Sequence, residues 1–307
     1  MSERHLIVIC GPTAVGKTRI GAQLAREFGL HLVSADSRQV YKYLNIGSGK
    51  DMDEYQFEDY SVPVHMVDVE EPEEIYSLFH YQRDCFDVLR KLKDNTKPVL
   101  MVGGTGLYIE SVLKKYAISE VPENRDFRIK KMNEEQSVLE SELKEADPDL
   151  YKRTDTSSKK RIVRALEIHY FSSSVCPENR IPDIDIKFKV FCVKQDKEKL
   201  YERINTRLHE RVKEGMIEEV KGLLDRGIPL DRLFMLGLEY KEIALFLSGK
   251  KSKEEMLRDL ELGIRRMAKR QMTYFRGFER RGIPVEWVVP DDTECIREYI
   301  INRNLTQ

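Results

Sequence analysis

Residues 11–18 read Gly-Pro-Thr-Ala-Val-Gly-Lys-Thr, directly after the apolar run Leu6–Cys10 and directly before a stretch in which Ile20, Leu24 and Phe28 recur every four residues. A strand, a glycine-bounded turn and an amphipathic helix in that order leave the chain few options. The amides between Gly11 and Thr18 converge on one point, and the helix N-terminus adds partial positive charge there. Pro12, Thr13, Ala14, Val15 and Gly16 complete the loop, Lys17 brings a mobile cation, and the Thr18 hydroxyl is suited to hold Mg²⁺. The loop is therefore expected to hold a phosphate ester, either an ATP-type nucleotide or a diphosphate.

Further strand-like runs follow at Leu32–Ser34, Val62–Val67, Val99–Val102, Phe188–Val193 and Val285–Val289, with helical stretches between most of them. Such alternation indicates an α/β fold, a P-loop NTPase-like parallel sheet flanked by helices. From residue 119 to 186 the pattern becomes highly charged and helical and includes the loop-like Ser172–Pro177, which reads as an inserted helical domain between a core of 1–118 and 187–307. From Lys197 to Leu224 apolar residues keep a four-residue spacing, predicting one long amphipathic helix or two end to end, stopped by Gly227 and Pro229.

Fifty-two Lys and Arg against 53 Asp and Glu leave the 307-residue chain near neutrality, so only local clustering bears on nucleic acid. Lys152, Arg153, Lys159, Lys160, Arg161 and Arg164 crowd the insertion, and seven basic residues from Arg265 to Arg281 crowd the C-terminal region. Phosphate contact is the expected use. Cys10, Cys85, Cys176, Cys192 and Cys295 form no C-x-x-C pair, which fits reduced thiols and predicts neither a disulfide frame nor a zinc site. No run reaches membrane-spanning length, so a cytoplasmic protein is expected.

Two other segments carry chemistry. Ser34–Tyr41 follows the second strand, where open α/β sheets place ligands; Asp36 within it reads equally as a general base or as a helix N-cap. Gly103-Gly104-Thr105-Gly106 reads as a second amide nest or as a plain strand-to-helix turn. The row Arg203, Arg207, Arg211 suits a diphosphate-facing stripe or surface salt bridges. Tyr274 and Phe275 suit core packing first and base stacking second. A motor ATPase is not expected, since Asp68 is the one approximate candidate for a Walker-B acid and nothing marks an arginine finger.

Taken together, Gly11–Thr18, Asp36-Ser37-Arg38-Gln39-Val40-Tyr41, Asn45–Lys50, His65–Asp68, Tyr76-Ser77, Gly103–Tyr108, Arg164–Glu167 and Ala268-Lys269-Arg270-Gln271 resemble, in order and spacing, the tRNA dimethylallyltransferases, or tRNA isopentenyltransferases. The resemblance covers most of the chain. It implies transfer of a dimethylallyl group from dimethylallyl diphosphate to N6 of adenosine 37 in tRNA, with release of diphosphate. It implies Asp36 as base, Lys17, Thr18 and Thr105 as catalytic partners, Mg²⁺ at Thr18, and Gln39 as reader of the adenine edge. Contacts to tRNA are expected from Asp36, Ser37, Arg38, Gln39, Thr105, Arg128, Lys159, Lys160, Arg161, Ile162 and Val163. A monomer is expected. The zinc finger of eukaryotic relatives has no counterpart, which implies the bacterial type.

The chain departs from the family at two places. Phe234-Met235-Leu236-Gly237-Leu238-Glu239-Tyr240-Lys241 stands where Arg-x-x-Gly-Tyr-Lys is common, so the expected diphosphate arginine is missing and Arg232 is the candidate substitute. Lys159–Arg164 stands for Pro-Gln-Arg-Leu-Ser-Arg and keeps both arginines. Rival activities for the same loop are prenyl transfer to free adenylate and small-molecule phosphorylation.

Overall fold

A computed structural model describes residues 3–92, 97–118, 121–172 and 184–302. Strands β1 (Glu3–Cys10), β2 (His31–Ser34), β3 (Val64–His65), β4 (Val99–Gly103), β5 (Asp185–Val193) and β6 (Val285–Val288) form one sheet in the order β3-β2-β4-β1-β5-β6. Every pairing is parallel. Leu6, Ile7, Val8 and Ile9 of β1 and Leu100 and Met101 of β4 are buried, as continuous apolar runs covered on both faces must be. The chain leaves β1 for β2 on one side and leaves β4 for β5 on the other. The C-terminal ends of β1 and β4 thus lie at a switch point, where α/β sheets open a crevice.

Strand β3 is shorter than its apolar run Val62–Val67 predicts. Met66 and Asp68 take positive φ angles of 64° and 54°, which turn the backbone out of the extended form immediately after His65. Around the sheet pack α1 (Lys17–Phe28), α2 (Leu78–Lys91) and α3 (Gly106–Leu113). The Lys197–Leu224 pattern resolves into α8 (Lys197–Glu214) and α9 (Met216–Asp225). Gly215, at φ 106°, caps one and starts the other, a conformation that any side chain would strain. Short α10 (Leu230–Leu236) and α11 (Leu238–Leu247) lead to the long α12 (Lys253–Arg276), opened by a Ser252–Glu255 capping box, and α13 (Glu294–Asn302) ends the described chain. Cys10, Cys85 and Cys192 are buried free thiols and Cys295 is half-buried; Cys176 and residues 173–177 of the predicted loop lie outside the described residues. Among the described residues no helix is long and apolar enough to cross a membrane.

The chain divides into two compact units, residues 1–115 with 184–307, and residues 116–183. The second holds α4 (Arg125–Met132), α5 (Gln136–Ala146), α6 (Pro148–Arg153) and α7 (Lys159–Phe171) around a small core of Leu139, Leu143, Ile162, Val163, Ala165 and Leu166. With so few apolar side chains, polar contacts matter more. The buried Glu167 carboxylate accepts from Arg128 Nε at 3.0 Å, the Asn124 amide at 2.6 Å and Arg164 at 2.5 Å. Burial pushes its pKa up, but these donors outweigh burial and hold it below the ordinary glutamate value. Glu167→Gln is expected to cost about 2 kcal/mol, less than for a fully buried pair because water reaches both guanidiniums. Hydrogen exchange of the α4 and α7 amides in the whole chain should then quicken about 30-fold. Unchanged protection would mean that the cluster adds no net stability.

Candidate active site

The three segments singled out by sequence meet at the C-terminal ends of β1, β2 and β4 and enclose a cleft of about 300 Å³. Thr13, Ala14, Gly16, Lys17 and Thr18 form its floor, Asp36 to Gln39 one wall, and Gly103 to Thr105 another. Helix α1 begins at Lys17 with no side-chain cap and no acidic residue in its first turn, so its amide groups remain free for an anion. Gly16, at φ 94°, supplies the left-handed turn that aims them.

Lys17 is open to the cleft by area, yet protein closely surrounds it. Desolvation lowers its pKa to about 8, opposed by the nearby Asp36 carboxylate and assisted by Arg207. Its Nζ donates to the Pro12 carbonyl at 2.6 Å. Beside it, Thr18 approaches the buried Tyr55, whose phenol burial pushes up. Asp36 Oδ1 accepts from the Arg38 amide at 2.9 Å, so this carboxylate caps a turn instead of the helix N-terminus its residue type also suited. Thr105 Oγ1 accepts from the Ser37 amide at 3.0 Å, while the Thr105 amide donates to Ala35 O at 3.0 Å. These two bonds lock the β2 and β4 loops together.

Gln39 differs from its expected role. Its Oε1 accepts from Ser34 Oγ at 2.8 Å and its Nε2 donates to Gly49 O at 3.1 Å, so both ends of the amide that was to read adenine are engaged within the fold. Gln39 instead ties the β2 loop to Gly47–Gly49, a further part of the cleft wall. Glu219 of α9 holds the same loop, accepting from the amides of Asn45, Ile46 and Gly47 and from Tyr240 Oη. No local sequence signal announces that cluster, because Glu219 lies more than 170 residues from the 45–47 amides it holds.

The α8 arginine row faces the cleft. Arg207 and Arg211 line it, Arg207 pairs with Asp51 at 2.5 Å, and Arg211 lies against Gly49, where any Cβ would overlap its guanidinium. Arg232 lies elsewhere. Its Nε donates to Pro72 O at 2.5 Å, it also bonds Glu74 O, and it stacks on Tyr41, so it does not replace the arginine missing at Phe234. Phe234 itself packs on the core. Asp68 pairs with Lys50 at 2.5 Å, away from the cleft. Helix α12 closes the remaining side: Gln271 Oε1 accepts from the Thr13 amide at 2.8 Å and its Nε2 donates to Gly104 O at 3.1 Å. In the sequence Gln271 stands only as the last residue of Ala268-Lys269-Arg270-Gln271, a motif that by itself assigns it no task. Tyr274 and Phe275 are core residues, Phe275 fully buried and Tyr274 donating to Glu110 at 2.6 Å.

Among the described residues no group of three or more His, Cys, Asp or Glu side chains could hold a metal ion. Magnesium asks for less: it commonly keeps several waters and binds through substrate phosphates with one or two protein oxygens. Thr18, at the mouth of the loop, fits that smaller demand.

Residues 39–278 match the IPP transferase family. Over 99% of this chain and 98% of the relative, 43% of positions are identical to tRNA dimethylallyltransferase 1 of Azobacteroides pseudotrichonymphae. The chain belongs to the IPP transferase family. A further IPP transferase relative, tRNA dimethylallyltransferase 1 of Porphyromonas gingivalis, is 41% identical over 94% of this chain and 96% of its own. Of solved structures, the full-length tRNA isopentenylpyrophosphate transferase of Bacillus halodurans is 30% identical with a TM-score of 0.69, covering 98% of this chain and 97% of that one. A eukaryotic dimethylallyltransferase acting on tRNA shares the fold at a TM-score of 0.76 and 22% identity, covering 98% and 79%.

In the inserted unit of this IPP transferase the expected tRNA residues separate by exposure. Ile162 and Val163 are buried in the small helical core and present no surface to RNA. Arg128 is spent on Glu167 and Glu123, and Lys159 Nζ donates to Met132 O at 2.9 Å. Lys160 is exposed, as is Arg161, which bonds Asp155.

Proposed function

We propose that this chain, acting as a monomer, transfers a dimethylallyl group from dimethylallyl diphosphate to N6 of adenosine 37 in tRNA and releases diphosphate. The observation carrying this reading is that a free helix N-terminus with Lys17, an acid at Asp36 and a hydroxyl at Thr105 surround one cleft. In an allylic diphosphate the C1–O bond breaks as negative charge gathers on the leaving oxygens. Donors already aimed at that charge lower the barrier without reorganising. The loop amides, Lys17, Arg207 and Arg211 take this part. When bound, Mg²⁺ at Thr18 would neutralise part of the same charge. Adenine N6 attacks C1, and because its lone pair is delocalised into the ring, Asp36 accepts the N6 proton as the new N–C bond forms. The purine must leave its stack to reach this depth. Thr105, held by the Ser37 amide, positions the reacting ends.

The test is purified protein with Mg²⁺, dimethylallyl diphosphate and either unmodified tRNA or AMP, read by mass spectrometry of the nucleosides. Prenylated adenosine is expected with tRNA alone; product from AMP would favour the free-nucleotide activity, and no product would reject both. For the RNA grip, Lys160→Ala is expected to weaken tRNA binding and lower the slope of log affinity against log salt by about 1. An unchanged slope would return Lys160 to the solvated surface.

A further inference from the structure

Most groups around the cleft are polar or charged, and its apolar members are few. Ala14 belongs to the phosphate loop, Val102 of β4 turns its side chain against Gly21 of α1, and Tyr55 lies beside Thr18, where the leaving group and its counter-charges belong. The two that remain are Leu238, at the start of α11, and Met267 of α12. Their spacing is informative. Gln271, Met267 and Gly263 follow one another at four-residue intervals on one face of α12, about 6 Å apart along the axis. Gln271 is bonded to the phosphate loop through the Thr13 amide, so this face leads away from the diphosphate in steps matched to a short carbon chain. At its far end Gly263 leaves a recess filled by Leu238: a Cβ at position 263 would overlap both Leu238 methyl groups. Leu238 also belongs to the segment where the chain departs from Arg-x-x-Gly-Tyr-Lys.

We infer that Met267 and Leu238, the latter seated in the recess at Gly263, form the alkyl-facing wall of the cleft and set the length of isoprenoid accepted. This rests on the prenyl-transfer reading above. A five-carbon chain starting at the phosphate loop spans about the one 6 Å step that Met267 closes, with Leu238 closing the next step at Gly263, and a ten-carbon chain meets this wall with half its length unplaced. Discrimination by one methylene in an apolar pocket is about 10–200-fold, so removing the wall should be readily measured.

The experiment compares kcat/KM for geranyl diphosphate and dimethylallyl diphosphate, with tRNA as acceptor, in the unaltered chain, Leu238→Ala and Met267→Ala. The geranyl to dimethylallyl ratio is expected to rise tenfold or more in each alanine variant. Met267 is half-buried at the cleft, so its variant keeps the test decisive should Leu238→Ala fold poorly. Gly263→Ala should displace Leu238 and raise KM for dimethylallyl diphosphate, and adding Leu238→Ala should relieve that rise. A ratio unchanged in both alanine variants, with dimethylallyl transfer persisting, overturns the wall alone. No transfer from dimethylallyl diphosphate by the unaltered chain overturns the activity and the wall with it.

Discussion

Asp36→Asn is expected to lower kcat for tRNA prenylation by about 10²–10⁴-fold, the range for loss of a positioned general base. Asparagine is the informative replacement because Asp36 does two things. Its Oδ1 accepts from the Arg38 amide and thereby shapes the turn that carries Ser37, Arg38 and Gln39. An asparagine oxygen can keep that bond while the side chain loses its charge and its ability to take a proton. Its neighbours restrain the expected loss in binding: Ser37 remains tied to Thr105, and Gln39 to Gly49. Affinity for tRNA should therefore stay within a few fold. Single-turnover kinetics with a tRNA titration separate the two effects. A near-normal kcat in Asp36→Asn would remove the base from the mechanism, whereas lost affinity with normal kcat would leave Asp36 a purely structural cap.

The second large effect is expected at Lys17. Lys17→Met keeps the stem and removes the charge, and should lower kcat/KM for dimethylallyl diphosphate by about 10²–10³-fold, as loss of one preorganised donor to developing negative charge does. The same residue predicts a pH dependence. Burial lowers its pKa to about 8, so in the ligand-free protein the ammonium is present below that pH and lost above it. Affinity for inorganic pyrophosphate should weaken as pH rises through about 8 in the unaltered chain, relative to Lys17→Met, where this contribution is missing at every pH. The comparison cancels titration of the pyrophosphate itself. Stability runs the other way: the unfolded chain holds the lysine proton up to about pH 10.5, the folded chain only to about 8. The unfolded state thus binds more protons between these values, and ligand-free stability should gain on Lys17→Met as pH rises across that window. Parallel binding profiles for the two proteins would show that Lys17 does not meet the anion.

How far such positions could be anticipated depended on the range of the forces involved. The phosphate loop is legible because strand, turn and helix are contiguous, and local propensity and amide geometry settle it within about 20 residues. Helices α8 and α9 were legible as an apolar repeat, and Gly215 alone marks their junction. The α8 arginine row was undecided by spacing, since a charged stripe looks alike whether it faces water or a ligand; only the approach of Gly49 and Asp51 turns it inward. Ile162 and Val163 are instructive in the other direction. Position in a basic motif suggested an RNA contact, but their apolar side chains gain more from the small core they share with Leu139 and Leu143. Arg128 likewise answers to a buried glutamate 39 residues away rather than to a phosphate.

Residue order alone thus dictated the α/β alternation, the anion nest at Gly11–Thr18 and the family, because each is written in neighbouring residues. Which side chains remain free to work was assigned by packing across the chain: Glu219 reaching the 45–47 amides, Gln271 bridging Thr13 and Gly104, and Gln39 and Arg232 bound into the fold. The physical reason is that a hydrogen bond depends on distance and direction in space, and strands and helices meeting at one sheet edge bring together groups that chain separation gives no means of pairing.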